Sequence, residues 1–422
     1  YCSDWAFDEV AGRETHASEP VCRAHPHRAR CQVGIGAGDG LYRDTDAAVR
    51  VLLNGELRPT VRIDADRWYR LRIIFAAVAH TLVLGMCSEA APGRPADPAC
   101  VHGDASAPCE WYLLAKDGVY IHDAPRRIRG ALLAPGNRAD VLVRCPAGTH
   151  SLNSHPGPSA LHGARATLAQ SLALVHASER GHTRCALREF RAPRPCYLVD
   201  LRDRALAAAG MAPADLFREE RNTSYEVTFE VHPFMSTPRG SHLAFEGPET
   251  VDLEIPGGRP VAMRLRGIAF HPSHQHINPV QVQRGLYDDG SALYALLEAF
   301  YRAGDWHDTV FSPLPGGSVE VRYQTDAFAG IVAHHCHILT HSDQGDWRNF
   351  RIVPTGSPTW PGARTVEGTC LGPSGLASSG AVPVLGPVLR STGTAPCDAA
   401  SHTPGQVLLV ASGLAAAALV PQ

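Results

Sequence analysis

The chain has 422 residues, enough for two or three domains, and its 44% hydrophobic content can fill real cores. A net charge of -3 gives no reason to expect nucleic acid or a membrane surface as partner. The 39 glycines and 33 prolines suit an all-β protein rich in turns rather than a helical one.

In chain order, residues 1–185 alternate apolar and polar positions in short runs bounded by Gly, Pro and Asp, as in Ala139-Asp140-Val141-Leu142-Val143. This predicts a first β-sandwich without metal ligands. The basic run Arg126-Arg127-Ile128-Arg129 reads as a solvated strand edge. Residues 186–222 form a linker, helical somewhere between Asp200 and Arg221. Residues 223–357, opening with Tyr225-Glu226-Val227-Thr228-Phe229, form a second sandwich that carries every metal-ligand motif. Residues 358–422 read as a disordered tail rich in Gly, Ser, Pro and Ala. The tail ends in the apolar run Val407-Leu408-Leu409-Val410, preceded by Ser391-Thr392-Gly393 and a polar spacer, the order of a GPI-anchor signal. The run is short for a spanning helix, which needs about 20 residues.

Chemistry concentrates in two segments of the second sandwich. Residues 271–276 read His-Pro-Ser-His-Gln-His, and residues 335–341 read His-Cys-His-Ile-Leu-Thr-His. In a strand, alternate side chains point to opposite faces, so His335 and His337 project one way and Cys336 the other. One strand can then serve two metal centres. Cys336 with His271 and His341 makes the His2Cys set of a blue-copper electron-transfer site. Zinc also takes His and Cys at short spacing, but a structural zinc site closes with four ligands and has no use for seven split over two segments. Copper is the metal this pattern fits.

At these residues the sequence resembles the multicopper oxidases, the family of laccases, ferroxidases and bilirubin oxidases. The run Trp306-His307-Asp308-Thr309-Val310, followed by Leu314-Pro315-Gly316-Gly317, is similar to another family motif. Upstream, Val51–Gly55, Trp68–Ile74 and Leu133–Val143 resemble the family's second domain. The resemblance covers roughly residues 1–357 and implies tandem cupredoxin-like Greek-key sandwiches, the second carrying the copper. It implies that His271, Cys336 and His341 bind a type 1 copper that takes single electrons from a small reducing substrate or Fe(II). His274 would bind a type 2 copper, and His276, His335 and His337 a type 3 pair. Electrons would pass from Cys336 through His335 and His337 to a cluster that reduces O2 to water.

In the family, half of the cluster's histidines come from two His-x-His motifs in a first domain. The opening, Tyr1 to Phe7, resembles the first strand of the second domain, so the chain is expected to be a fragment whose missing first domain is a partner. His25-Pro26-His27 lies in an Arg-rich loop and is not expected to ligate. Asp346 stands where the family carries Met, Leu or Phe beneath the type 1 copper; either its carboxylate lies on that axis or Trp347 fills the axial side. Ser342 stands where many members carry a proton-relaying Glu, leaving Asp343 as a substitute, and Asp288, Asp289 and Glu298 are candidates for holding Fe(II). A copper-binding electron-transfer module without O2 reduction is the alternative reading. A non-catalytic structural protein is disfavoured by the intact ligand set.

Of 12 cysteines, setting aside Cys336 leaves 11, many enough to imply an oxidising compartment and an odd thiol. Cys100 with Cys109, and Cys22 with Cys31, are candidates to close short loops. Asn222-Thr223-Ser224 is an N-glycosylation sequon. These features predict a secreted or cell-surface protein.

Overall fold

The computed structural model describes residues 51–77, 80–88, 108–155, 170–179, 198–208, 216, 249–266, 268, 271–283, 299–311, 318–325, 328–339, 342 and 347–354, with the backbone of further strands at 5–8, 13–16, 165–166, 225–229, 235–237, 240–243 and 407–412. Two pairs of sheets account for nearly all of these residues.

In the first pair, a six-stranded sheet built around His80–Ser88 and Gly148–His155 faces a seven-stranded sheet built around Tyr69–Ala77, Arg138–Arg144 and Glu110–Lys116. Alternation explains the layering: Ile73, Phe75 and Ala77 turn inward while Arg72, Ile74 and Ala76 turn out. Both sheets contribute to one core that includes Phe75, Leu82, Trp111, Leu132, Val141 and Leu172. The second pair sets a seven-stranded sheet around Pro260–Arg266 and Ser318–Gln324 against a five-stranded one. The latter runs Leu253–Pro256, Trp347–Val353, Gly330–Cys336, Ser273–Gln275 and Thr309–Val310. Val261, Met263, Val321, Tyr323 and Phe350 fill its core, and Cys336 lies among them. A cupredoxin-like sandwich is the result in both cases.

Several local expectations change in three dimensions. Trp5–Asp8 pairs with Arg13–His16 in a separate two-stranded sheet. Val407–Ser412, placed by sequence in a structureless tail, is a strand lying parallel to Tyr69–Ala77 and antiparallel to Val51–Leu53. Among the described residues of the linker, a helix runs over Asp203–Ala208, where Leu206 is buried. Among the described residues no helix is long and apolar enough to cross a membrane. Cys109 bonds Cys145, not Cys100: Glu110 and Arg144 are register partners on adjacent strands, which brings the flanking cysteines together. Cys87 is also disulfide-bonded. Cys22, Cys31, Cys100 and the Asn222 sequon lie outside the described residues.

Arg126 is not a solvated edge residue. It is buried and reaches Asp305 of the second sandwich through both terminal nitrogens, at 2.8 and 2.7 Å. Arg127 and Arg129 are exposed while Ile128 turns inward, as a strand's alternation requires. Lys116 makes a second buried ion pair with Asp305, at 3.0 Å. Burial by itself would raise the Asp305 pKa, but Lys116 and Arg126 outweigh it and hold the carboxyl well below the usual carboxylate range. Phe300, Tyr301 and Phe311 join the core of the first sandwich, so apolar packing surrounds the charges that join the two halves.

Candidate metal centre

The antiparallel pairing of Ser273–Gln275 with Gly330–Cys336 sets Ser273 opposite Cys336, His274 opposite His335 and Gln275 opposite His334. Paired residues share a face. His274 and His335 therefore emerge on one side of the sheet, while Cys336 and His334 enter the sandwich core. His276 continues the first row, its N–H donating to the Ala333 carbonyl at 3.0 Å, and the His337 N–H donates to Pro272 at 2.8 Å. Four imidazoles are thus gathered on one face. The His274 ring centroid lies 4.8 Å from His276, 5.1 Å from His335 and 5.1 Å from His337.

Hydrogen bonds fix which nitrogen each ring offers. Nδ1 of His335 lies 2.8 Å from the Cys336 carbonyl, which can only accept, so Nδ1 carries the proton and Nε2 presents its lone pair. Nδ1 of His274 donates in the same way to the Asp308 carbonyl and to Thr309 Oγ1, each at 3.0 Å. Thr309 Oγ1 uses its own proton on Asp308 Oδ1 at 2.8 Å, which frees its lone pairs. Burial lowers the His335 pKa to about 3, helped by the neighbouring rings of His274, His337 and His276. Burial likewise lowers His276 and His337. These rings are neutral at pH 7, the state in which imidazole ligates.

The arrangement fits a transition metal. Ligand nitrogens of His274, His276 and His335 all lie within 4.8 Å of one another. Nε2 of His276 and Nε2 of His335 are 3.2 Å apart. Two nitrogens each about 2.0 Å from one ion at a tetrahedral angle stand about 3.3 Å apart. Cys336 is fully buried on the other face, with the Ile338 N–H donating to its Sγ at 3.4 Å, and His271 is buried two residues before Ser273. An N–H aimed at sulfur favours the thiolate that copper needs.

Residues 217–356 match the family model described as multicopper oxidase. That match spans the second sandwich and both histidine segments. Among solved structures, it is similar to a multicopper oxidase from Campylobacter jejuni, at 16% identity over 72% of this chain and 57% of that one, with a TM-score of 0.46. One from Aquifex aeolicus shows 18% identity over 70% and 57%, with a TM-score of 0.46, and one from Pseudomonas thermotolerans 19% over 72% and 59%, with 0.47. The chain spans less than three-fifths of the length of these structures. No curated protein matches it.

The histidine face of the matched region leans on the first sandwich, which supplies support and, among its described residues, no further side chain to the cluster of His274, His276 and His335. A Cβ at Gly136 would overlap the His337 imidazole, and Gly136 sits at φ +84°, so the Pro135-Gly136 turn needs glycine twice over. Arg138 donates to the Gly136 carbonyl at 2.8 Å and grips both Asp308 oxygens. Burial opposes ionisation of Asp308, but His274 and Arg138 overcome it and depress its pKa.

Trp347 does not occupy the axial side of the Cys336 site. It pairs in register with His335 and stacks on that ring, on the opposite face from Cys336. His341, Asp346, Asp343, Asp288, Asp289, Glu298, His25 and His27 lie outside the described residues. Ser342 is described, its hydroxyl 3.4 Å from His335 Nδ1. Sequence reasoning passed over His334, which alternation placed beside Cys336 in the core; its Nε2 meets Ser273 Oγ at 2.9 Å. Asp308, Gly136 and Arg138 stand in the sequence only as parts of two separate motifs, and nothing local says that the two motifs meet.

The turn after His276 is strained. The Asn278 N–H bonds the His276 carbonyl at 2.8 Å around Ile277, whose φ is +68°, a γ-turn with a β-branched residue in the left-handed region. Ile277 is 51% exposed, so its side chain returns little by burial. Such strain costs about 1–3 kcal/mol, against about 0.5–1 kcal/mol for the entropy of glycine. Ile277→Gly is expected to raise stability by about 1 kcal/mol. An unchanged or lower denaturant midpoint would refute the strain.

Proposed function

We propose that the chain is the copper-bearing part of a laccase-like multicopper oxidase, which takes single electrons from a phenolic or aromatic compound or a metal ion and delivers them to O2. The observation that carries this reading is the strand Gly330–Cys336 with its continuation: the Cys336 thiol on one face, His335 and His337 on the other. Copper would supply the one-electron steps between Cu(II) and Cu(I). Cys336, with His271 and His341, would hold the electron-accepting ion. His276 and His335 would share a second ion, with His274 and His337 serving its neighbours. The His335 Nδ1–H bond to the Cys336 carbonyl joins the two faces by a route shorter than the covalent one. Asp308, Thr309 and Gly136 hold ligand rings in place.

This chain supplies four histidines of the cluster face, and the rest would come from a further domain of the same protein. Copper loading of the chain should therefore give the intense blue absorption of thiolate-to-Cu(II) charge transfer, lost in Cys336→Ser, without steady O2 consumption. A colourless, folded, copper-loaded chain would overturn the type 1 assignment. Steady O2 consumption would show that the chain by itself completes the cluster. The electron-transfer module without O2 reduction predicts the same colour, and is favoured if O2 consumption stays absent when the upstream part of the protein is present. The disulfide Cys109–Cys145 supports secretion.

A further inference from the structure

Histidine rings turn easily. The terminal torsion of histidine is broad and roughly two-fold, so the orientation of a ligand imidazole is set by its neighbours rather than by its own bonds. His274 is held through Nδ1 by Asp308 and Thr309, and His337 is wedged against Gly136. His335 has its bond to the Cys336 carbonyl and, in addition, a flat aromatic partner: the Trp347 indole lies 4.2 Å away at an interplanar angle of 5°. The other ring contacts of His335 are edge-on or tilted, at 77°, 58° and 37°.

The indole is itself fixed from behind. Its Nε1–H donates to Asn349 Oδ1 at 3.2 Å. Asn349 is buried; its N–H donates to Asp252 Oδ2 at 3.3 Å, and its carbonyl accepts from the Asp252 N–H at 2.9 Å. The plane of the indole is thereby keyed to the neighbouring strand Leu253–Pro256 and not to the metal face. Register does the rest, because His335 and Trp347 are directly paired on adjacent antiparallel strands.

We propose that Trp347 is a positioning residue for His335: the stack holds the imidazole in the one orientation that aims Nε2 at His276 while Nδ1 stays on the Cys336 carbonyl. A half-turn about Cβ–Cγ would put Cδ2 in the place of Nδ1 and Cε1 in the place of Nε2, breaking the bond to the Cys336 carbonyl and turning the Nε2 lone pair away from His276. Ser342 Oγ, 3.4 Å from Nδ1, is too distant a partner to prevent that turn. The role at the metal rests on the proposed function; the orientation of the ring does not.

Two measurements on the full chain test this. In 15N-histidine-labelled protein without metal, His335 should show a single Nδ1–H tautomer in the parent and in Trp347→Phe, and an exchange-averaged mixture in Trp347→Leu. Titration with Cu(II) alone, against a competing chelator, should show the histidine-bound copper of Trp347→Leu weakened about 10–100-fold, the usual effect of losing an outer-shell partner. The blue absorption at Cys336 should persist, and Trp347→Phe should recover most of the affinity. Parent-like tautomer and affinity in Trp347→Leu would overturn the proposal. Equal loss in the Phe and Leu variants would also overturn it, by assigning the effect to the indole N–H. Should the Leu variant fail to fold, a tautomer mixture in the parent itself would be decisive against. If the parent takes up no copper at its histidines, the proposed function falls, while the tautomer result still decides the role of Trp347.

Discussion

Asp305→Ala is expected to destabilise the chain by about 3–5 kcal/mol, because removing one partner of a buried ion pair strands the others away from water. Lys116 is 2% exposed and Asp305 0%, and Arg126 converges on the same carboxylate. Two cations would be left facing each other, with Asp123 compensating only Arg126. Burial already lowers the Lys116 pKa, so the lysine has one way out, which is to lose its proton. A denaturant midpoint series over pH separates the outcomes. A loss below about 1 kcal/mol at pH 7 would mean that Lys116 deprotonates readily and that the pair contributes little to stability. Asp305→Leu combined with Lys116→Met should recover part of the loss, since a well-packed apolar replacement of a buried pair is often neutral. The effect is expected on the union of the two sandwiches, because Lys116 and Arg126 belong to the first and Asp305 to the second.

Acid should weaken the fold well above the pH at which surface carboxylates titrate. His334 is 1% exposed, and burial, with the nearby rings of His335, His274 and His276, pushes its pKa down to about 3. An unfolded histidine titrates near 6.5. Between these values the unfolded chain binds the extra proton, so stability is present above about pH 6.5 and is lost as pH falls toward about 3. From pH 6.5 to 4 the loss through His334 alone is about 3 kcal/mol. The depressed carboxyls of Asp305 and Asp308 add losses of the same sign at lower pH. His334→Phe in the metal-free chain should flatten the pH dependence of the denaturant midpoint between pH 6.5 and 4. An unaltered slope would show that His334 keeps an ordinary pKa. Copper should compete with acid at the other face, where His276, His335 and His337 must stay neutral to ligate.

The metal face was legible in the sequence to an unusual extent. His335 and His337 sit on one face and Cys336 on the other, as strand alternation requires, because a period of two is a local property of extended backbone; the resemblance alone joined His274 and His276 to them. His334 was legible by the same rule, since it lies two residues before Cys336 and shares its face. Trp347 was not legible. Its place next to Asp346 in the stretch after His341 suggested the axial side of the type 1 copper, and only the antiparallel pairing of two strands puts it on the ring of His335.

The sequence by itself determined the all-β class, the two sandwiches and the division of Cys336 from His335 and His337 between the faces of one strand, since each follows from patterning within a few residues. Tertiary structure decided what depends on partners distant in the chain. Cys109 meets Cys145 because two strands are neighbours in a sheet. Val407–Ser412 becomes a strand because Val51–Leu53 and Tyr69–Ala77 offer it backbone on both sides. Arg126 and Asp305, 179 residues apart, are buried together because two sandwiches close on them, and no local pattern of charge could have distinguished that arginine from the exposed Arg127 beside it.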